Sequence, residues 1–217
     1  MRIEIGEKVL QENAKVAAEL RALLAERKIL AVNLIGSPGS GKTAILERTL
    51  AQLRDTTPLR VAVLTGDIQT DADAQRLSKY GFAARQITTA GACHLDARMV
   101  MRAMDGWDLD QIDLLLIENV GNLVCPTSYD LGEEAKIVVL SVTEGEEKPL
   151  KYPGIFFRSS LMLLSKCDLL PYVPFDPELA IRNAKTIHPE IDVVRVSALT
   201  GEGIGEWLEW LLARRKG

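Results

Sequence analysis

The stretch ILAVNLIGSPGSGKT, residues 29–43, runs from an apolar segment into a glycine-rich turn and decides the fold. The apolar segment Ile29–Ile35 has the length and continuity of a strand that is buried on both faces. It leads into the pattern Gly-x4-Gly-Lys-Thr and then into a helical segment, Ala44–Leu53. A strand, this turn and a helix in that order predict a phosphate-binding loop, because glycines let backbone N–H groups converge on phosphate oxygens at a helix N-terminus.

Every residue of this loop has a predicted contact with a bound nucleotide. The Lys42 ammonium group is expected to pair with the β- and γ-phosphates, and the Thr43 hydroxyl is expected to bind Mg²⁺. The predicted nucleotide-binding residues of the loop are Gly36, Ser37, Pro38, Gly39, Ser40, Gly41, Lys42, Thr43 and Ala44.

Strand-like apolar runs alternate with helical patterns through the rest of the chain, which is typical of a parallel sheet covered on both faces. Residues 7–28 have apolar residues near helical spacing and predict an amphipathic helix. We therefore predict one α/β P-loop NTPase domain over residues 29–217, with a mostly parallel sheet and helices on both faces. A helical segment over residues 1–28 is expected to pack on it. The predicted strands are Ile29–Ile35, Val61–Thr65, Arg85–Thr88, Asp113–Ile117, Ile137–Val142, Leu161–Ser165 and Val193–Ser197.

The composition excludes several classes of function. The chain of 217 residues is 47% hydrophobic and is long enough to bury the core of one large domain. A net charge of −4 argues against nucleic acid as a partner. No apolar run is long enough to span a membrane, and the sequence MRIEIGEKVL lacks the apolar core of a signal peptide, so we expect a cytoplasmic protein. Three cysteines do not form a disulfide framework.

Two later loops have the pattern of a guanine-binding site. The segment SKCD at 165–168 follows one predicted strand and SAL at 197–199 follows the next, which resembles the NKxD and SAx pair of GTPases. The Asp168 carboxylate can accept hydrogen bonds from the guanine ring N–H and amino group, whereas adenine has no such pair of donors. Ser165 departs from the usual asparagine, and we expect one supporting contact to be weaker. The predicted base-binding residues are Lys166, Asp168, Ser197, Ala198 and Leu199.

Acidic residues follow two other strands, at the positions where GTPases have their switch loops. Asp67 is expected to hold Mg²⁺ and Asp71 to orient the attacking water. Glu118 stands where many GTPases have the aspartate of DxxG, so it would touch the metal shell while the Gly121 amide senses the γ-phosphate. No glutamine stands in an obvious water-orienting position, and we predict slow hydrolysis. The predicted catalytic residues are Lys42, Asp67, Asp71 and Glu118, and the predicted magnesium ligands are Thr43, Asp67 and Glu118.

Cys93, His94 and Cys125 form a candidate metal site. The first two precede a predicted helix, Leu95–Met104, and a helix N-terminus lowers the pKa of a thiol. Two thiolates and an imidazole suit Zn²⁺ or Ni²⁺ better than Mg²⁺ or Ca²⁺. Three ligands leave a tetrahedron incomplete, and adjacent helical residues point about 100° apart, so a two-fold dimer could share the ligands. The alternative is that the cysteines are packed core residues, which is the role we expect for Cys167.

The segments GSPGSGKT, GDIQTDAD, TTAGACHLDA, IENVGNLVCP and TEGEEKPLKYP resemble, in this order, the HypB family of hydrogenase nickel-incorporation GTPases. The resemblance extends over nearly the whole chain from about residue 9. It implies a P-loop GTPase that forms a homodimer when GTP is bound and delivers nickel during maturation of nickel–iron hydrogenase. It also implies two protein partners, a zinc/nickel metallochaperone and the precursor of the hydrogenase large subunit.

The resemblance assigns roles to particular residues of this chain. It implies that Cys93, His94 and Cys125 are metal ligands shared at a dimer interface. Lys148 and Lys151 match a basic loop that lies near the interface and the nucleotide in this family, and one of them is a candidate for contact with the partner subunit. The N-terminal cysteine motif and the histidine-rich stretch of some relatives do not occur in this sequence. We therefore expect any nickel site to lie in the GTPase domain.

Three alternatives stay open at this point. A urease-accessory nickel GTPase has a related fold but a Cys-Pro-His arrangement, and this chain has Cys93 and His94 adjacent. A GTP-dependent recruitment switch would have packed cysteines and no metal. A small-molecule kinase with the same phosphate-binding loop would prefer ATP.

Overall fold

The computed structural model describes residues 2–67, 72–89 and 91–215, in which seven strands form one sheet. The strand order is β3-β2-β4-β1-β5-β6-β7, and every neighbouring pair is parallel. The predicted α/β class with a parallel sheet is therefore confirmed. The strands are β1 (Leu30–Gly36), β2 (Val61–Asp67), β3 (Ala83–Thr88), β4 (Leu114–Glu118), β5 (Ala135–Ser141), β6 (Leu161–Ser165) and β7 (Asp192–Arg195).

Helices connect the strands, as parallel pairing requires. Most of the connections include one helix or a short helical turn. The helices are α1 (Arg2–Glu26), α2 (Lys42–Thr56), α3 (Ala72–Ser78), α4 (Ala97–Ala103), α5 (Lys148–Lys151), α6 (Pro153–Arg158), α7 (Pro177–Ile187) and α8 (Ile204–Leu212). Turns of 3₁₀ helix span Leu109–Gln111, Cys125–Ser128 and Cys167–Tyr172.

The central strand β1 is buried on both faces, and its side chains alternate between two layers of core. Val32 and Leu34 face the layer that includes residues of α2, α3 and α8. Ala31 and Ile35 face the opposite layer, where one apolar cluster involves α1 and α4 and a second involves α6 and α7. Burial on both faces explains why the strand sequence is almost continuously apolar.

The strand order changes direction at β1, because the chain places β2, β3 and β4 on one side of β1 and then β5, β6 and β7 on the other. In open α/β sheets this switch point opens a crevice at the carboxyl ends of the strands, where ligands bind. The segments after β1, β4, β6 and β7 contain the predicted nucleotide-binding residues, and the parallel strands bring these segments to this edge.

Helix α1 packs against α4 and β1 through its buried residues Ala17, Leu20 and Leu24. Buried Asn13 adds two specific bonds: its Oδ1 accepts from the Ala97 backbone N–H at 2.9 Å and its Nδ2 donates to the Asp130 carbonyl at 2.8 Å. The predicted N-terminal helix is thus present and packed on the sheet domain. No helix in the described part of the chain is both long and apolar enough to cross a bilayer.

Trp207 of α8 connects the last helix to α2 by a buried hydrogen bond. Its indole N–H donates to the Thr49 hydroxyl at 3.0 Å, and that hydroxyl donates to the Ile45 carbonyl at 2.7 Å. Thr49→Val keeps the volume but leaves the indole N–H without its partner inside the core. We expect the free energy of unfolding in urea to fall by about 1–3 kcal/mol, the cost of an unsatisfied buried donor.

Thr56→Val in the same helix is the matched control, because the Thr56 hydroxyl makes the same kind of bond, to the Gln52 carbonyl, at an exposed position. This substitution is expected to change the free energy of unfolding by less than about 0.5 kcal/mol. Equal losses for the two variants would contradict a special role for the buried bond.

Candidate nucleotide and metal site

A cavity of about 440 Å³ lies at the carboxyl edge of the sheet, beside the phosphate-binding loop. It is formed by the segment that follows β1, the start of α2, the ends of β2 and β4, the segment that follows β4, and residues of α3. The residues that line it are Pro38, Gly39, Gly41, Lys42, Thr43, Ala44, Gly66, Asp67, Asp73, Arg76, Glu118, Asn119, Val120 and Gly121. The sequence predicted most of this lining, except for Gly66, Asp73, Arg76, Asn119 and Val120.

The Lys42 side chain folds back onto the phosphate-binding loop. The ammonium Nζ donates to the Gly36 carbonyl at 3.2 Å and to the Ser37 carbonyl at 3.3 Å. Burial lowers the pKa of Lys42, because the charged form is the one that loses hydration. Gly41 precedes the helix with φ of +96°, a conformation that favours glycine. The phosphate-binding loop therefore surrounds a buried ammonium group at the N-terminus of α2.

Thr43 and Glu118 join the phosphate-binding loop to the end of β4. The Thr43 hydroxyl donates to Glu118 Oε1 at 2.8 Å, and Glu118 Oε2 is buried without a hydrogen-bond partner among the described residues. Burial raises the pKa of Glu118 to about 7, against the opposing charge of Lys42. An orphaned carboxylate oxygen beside a hydroxyl is an oxygen donor set that suits Mg²⁺. Asp67 ends β2 and lines the same cavity, whereas Asp71 lies outside the described residues.

The loop after β4 packs directly on the phosphate-binding loop. A Cβ atom at Gly121 would lie 2.9 Å from Pro38 Cγ and 3.0 Å from Pro38 N, so this close approach of two backbones requires glycine. A phosphate group that displaces either loop must therefore move the other. This contact places the Gly121 amide next to the predicted phosphate position.

The predicted base loops meet each other and the phosphate-binding loop. The Ser197 hydroxyl donates to Asp168 Oδ1 at 2.6 Å, which fixes the carboxylate that was predicted to read guanine. Lys166 has a left-handed conformation, with φ of +60°. Arg48 of α2 donates to the carbonyls of Ala198 and Leu199 and thereby holds the second loop in place. The sequence analysis did not anticipate this role of Arg48.

Ser165, which stands in place of the usual asparagine, contacts the phosphate-binding loop. Its buried hydroxyl donates to the Ser40 carbonyl at 2.6 Å and so ties the base loop to the phosphate-binding loop. Serine at this position thus reaches the neighbouring loop, and the weaker contact relative to asparagine stays a prediction. Cys167 beside it is buried and its thiol contacts the Leu164 carbonyl at 3.1 Å, as predicted for a packed residue.

Cys93, His94 and Cys125 converge within one chain. Their ligand atoms all lie within 4.8 Å of one another, with the two sulfur atoms 2.7 Å apart and Cys93 Sγ 3.8 Å from His94 Nδ1. The argument that adjacent Cys93 and His94 would diverge on a helix was wrong. Both residues lie in a bend before α4, which begins only at Ala97, so helical geometry does not separate their side chains.

The predicted effect of the helix N-terminus on the thiols was also wrong. The cap of α4 is Asp96, whose side chain accepts from the Met99 N–H at 2.7 Å, so this N–H group already has a partner other than a thiol. The pKa of Cys93 is raised, chiefly because its sulfur shares a hydrogen bond with Cys125. Burial lowers the pKa of His94, which favours the neutral imidazole that a metal requires.

Neighbouring side chains hold the three donors in place. The His94 ring stacks on the Tyr129 ring, with 3.7 Å between the centroids and 25° between the planes. Asn122 Nδ2 donates to the Cys93 carbonyl at 3.2 Å, and its Oδ1 accepts from the Val124 N–H at 2.8 Å. Asn122 therefore connects the loop of Cys93 to the loop of Cys125. Cys93 itself is exposed, so the cluster is accessible from solvent.

Lys148 and Lys151 lie in α5, after β5. Lys148 Nζ lies 3.3 Å from a carboxylate oxygen of Glu144 and 5.1 Å from the centre of the Tyr152 ring. Lys151 forms an exposed ion pair with Glu147 at 2.9 Å. Such an exposed pair contributes little to stability, so the Lys151 amine can exchange this partner at low cost. Their contact with a partner subunit remains a prediction.

The fold and the site define a P-loop GTPase, in which the phosphate-binding loop and the segments after β4, β6 and β7 meet at one edge of the sheet. The sequence matches the CobW/HypB/UreG nucleotide-binding domain family over residues 30–195. It is 51% identical over 213 residues to the hydrogenase maturation factor HypB of Escherichia coli, a match that covers 98% of this chain and 73% of that protein. The chain belongs to the HypB hydrogenase maturation factors.

Two solved structures have the same fold over nearly the whole chain. HypB from Archaeoglobus fulgidus is 37% identical, with a TM-score of 0.87, over 95% of this chain and 100% of that one. HypB from Helicobacter pylori, in complex with nickel, is 38% identical, with a TM-score of 0.88, over 94% of this chain and 95% of that one.

The bond from Ser165 to Ser40 generates a prediction about nucleotide affinity. Ser165→Ala removes one buried hydrogen bond that holds the base loop against the phosphate-binding loop, and the two halves of the site lose their fixed spacing. We expect the GDP dissociation constant, measured by isothermal titration calorimetry, to rise about 3- to 10-fold, which corresponds to the loss of about one hydrogen bond.

Ser159→Ala is the matched control, because the Ser159 hydroxyl is also buried but bonds to the Ile155 carbonyl at 2.8 Å, away from the site. It is expected to leave the GDP dissociation constant unchanged. Ser165→Ala with the GDP affinity of the unsubstituted protein would refute the role of the contact.

Proposed function

We propose that this GTPase carries nickel as its cargo in a site formed by Cys93, His94 and Cys125, and that the bound nucleotide controls this site. One observation carries the proposal. Cys125 lies four residues after Gly121, which packs on the phosphate-binding loop, and its sulfur converges with Cys93 and His94 from a separate loop. A change at the γ-phosphate therefore has a short covalent path to a metal-binding thiol.

The chemistry of the donors supports nickel or zinc as the metal. Two thiolates and a neutral imidazole are softer ligands than Mg²⁺ or Ca²⁺ prefer, and they suit both Ni²⁺ and Zn²⁺. The nickel complex of the related Helicobacter pylori protein favours nickel as the cargo. The cluster has three donors from one chain, so a partner subunit or water would complete the coordination of the metal.

Roles in the nucleotide site are proposed from the sequence pattern, and the contacts of Lys42, Thr43 and Glu118 support them. Thr43, Glu118 and Asp67 are the proposed Mg²⁺ ligands, and Lys42 is the proposed partner of the β- and γ-phosphates. When bound, Mg²⁺ would neutralise the charge that develops on the phosphates. Asp71 is proposed to orient the attacking water. Without a water-orienting glutamine in an obvious position, hydrolysis is proposed to be slow.

Asp168 is proposed to read guanine, because the hydrogen bond from the Ser197 hydroxyl holds its carboxylate in one orientation. An aspartate can accept from two neighbouring N–H groups of guanine, and this pairing excludes adenine. Lys166 is proposed to cover the base, and the backbone of Ala198, held by Arg48, is proposed to meet the guanine oxygen. The nucleotide is therefore GTP or GDP.

Assembly and partners are the remaining parts of the proposal. A homodimer that forms with GTP would complete the metal shell, and Lys148 or Lys151 would reach the partner subunit's site. A zinc/nickel metallochaperone is the proposed source of the metal, and the precursor of the hydrogenase large subunit is the proposed recipient, in the cytoplasm. The division into residues 1–28 and 29–217 is proposed as a helical segment followed by the GTP-binding domain.

Substitution of the thiols tests the metal site directly. Cys93→Ala or Cys125→Ala removes one of the three donors. We expect the nickel bound per chain in equilibrium dialysis, at a fixed free nickel concentration, to fall by more than about tenfold. Loss of a residue that only supports a ligand already lowers metal affinity about 10–100-fold, and loss of the ligand itself costs more. Cys167→Ala is the control, because its thiol is buried away from the cluster. Unchanged binding in both cluster variants would favour the packed-cysteine alternative.

Nucleotide control of the site is tested by two titrations of the full chain with Ni²⁺, one with GDP and one with a non-hydrolysable GTP analogue. Displacement of Gly121 is expected to alter the position of Cys125, and a coupling of 1–3 kcal/mol changes affinity by about 5- to 150-fold. We expect the two dissociation constants to differ by at least about 5-fold. Equal constants would refute control by the nucleotide.

A further inference from the structure

A chain of buried polar side chains crosses the sheet beneath the metal site. Asn33 is fully buried in the middle of β1, on the face where apolar clusters otherwise pack. Lys136 of β5 is its direct neighbour in the register of the sheet. A polar side chain at such a position loses its hydration and is retained only if hydrogen bonds replace it.

These hydrogen bonds connect Asn33 to both sides. Asn119, immediately after β4, donates from Nδ2 to Asn33 Oδ1 at 3.2 Å, and Asn33 Nδ2 donates to Glu133 Oε1 at 3.1 Å. Glu133 is also buried, and its second oxygen accepts from the Leu131 N–H at 2.6 Å. The chain therefore leads from the loop after β4 to a carboxylate on the far side of β1.

Lys136 continues the chain to the segment that follows Cys125. Its Nζ lies 3.5 Å from Glu133 Oε1 and donates to the Tyr129 carbonyl at 2.6 Å and the Pro126 carbonyl at 3.4 Å. Pro126 is the residue after Cys125, and the Tyr129 ring stacks on His94. One ammonium group therefore fixes the backbone that positions two of the three metal donors.

Asn119 also contacts the loop that contains the other donor. Its Oδ1 accepts from the Leu95 N–H at 3.3 Å, and Leu95 follows His94 in the chain. The Leu95 side chain packs on Gly66, where a Cβ atom would lie 2.9 Å from it. Asn119 at one end of the polar chain contacts the backbone after His94, and Lys136 at the other end contacts the backbone after Cys125. In sequence, Asn119 also lies between Glu118 and Gly121, which packs on the phosphate-binding loop.

Stability alone does not explain this arrangement. Burial raises the pKa of Glu133, because the carboxylate loses its water, and the charge of Lys136 opposes this shift. Buried ion pairs can often be replaced by apolar residues without loss of stability, so their presence is weak evidence for a structural role. Residues that hold ligating loops by hydrogen bonds do have a large effect on metal binding.

We propose that Asn33, Glu133 and Lys136 are positioning residues for the metal site, which connect Asn119 to the backbone around Cys125 and His94. This inference rests on the proposed function, since it assumes that Cys93, His94 and Cys125 bind nickel. The polar chain is a second connection between the nucleotide site and the metal site. The first is the backbone from Gly121 to Cys125, and the second crosses the sheet through side chains.

Lys136→Met tests the inference, because methionine keeps the apolar stem of the side chain but cannot donate to the two carbonyls. The full chain is titrated with Ni²⁺ against a chelator of known affinity, and the sulfur-to-nickel absorption band is recorded. We expect the nickel dissociation constant to rise about tenfold and the band to change in position or intensity. Lys136→Arg keeps a donor within reach of the carbonyls and is expected to restore both.

Lys185→Met is the matched control, because Lys185 is exposed on α7, and it is expected to bind nickel as the unsubstituted protein does. If Lys136→Met does not fold, Glu133→Gln gives the same test, since it keeps the volume, removes the charge that holds Lys136 and leaves one acceptor oxygen instead of two. Affinity and absorption identical to the unsubstituted protein in the folded variant would overturn the inference and leave the proposed function intact. An unsubstituted chain that binds no nickel would overturn both.

Discussion

The hydrogen bond between Thr43 and Glu118 joins the two loops on which both candidate sites depend. It connects the start of α2 to the end of β4, across the switch point of the sheet. Because Glu118 is buried with one free oxygen, this part of the structure has its lowest free energy when a cation or a proton is present. The loop from Asn119 to Cys125 begins directly after Glu118. The position of Cys125, one of the proposed metal donors, therefore depends on the geometry of the nucleotide site.

Parallel strand order explains how distant segments reach a common edge. The phosphate-binding loop, the switch loops and the base loops are separated by up to 150 residues in sequence, yet hydrogen bonds join them, as between Arg48 and the carbonyls after β7. Most of these bonds involve a side chain on one loop and a backbone carbonyl on another. This arrangement sets the distance between phosphate and base without constraining the sequence of the helices between them.

Much of the fold and of the nucleotide site follows from local sequence. The apolar strands, the glycine pattern and the acidic strand ends have physical requirements that are visible within a few residues. The convergence of Cys93 and His94 was not predictable in this way, because it depends on where α4 begins. Asn33 gave a signal as the polar residue in an otherwise apolar strand, but its partners Glu133 and Asn119 lie about a hundred residues away and only the folded sheet identifies them.

The close approach of two thiols has a consequence for redox chemistry. Cys93 and Cys125 present sulfur atoms 2.7 Å apart, and Cys93 is exposed. An oxidant that joins them in a disulfide takes two electrons and removes two of the three donors in one step. A metal ion that occupies both sulfur atoms blocks this reaction. If these thiols hold the cargo as proposed, the metal-free chain needs a reducing environment to keep them available, and bound metal protects them from oxidation.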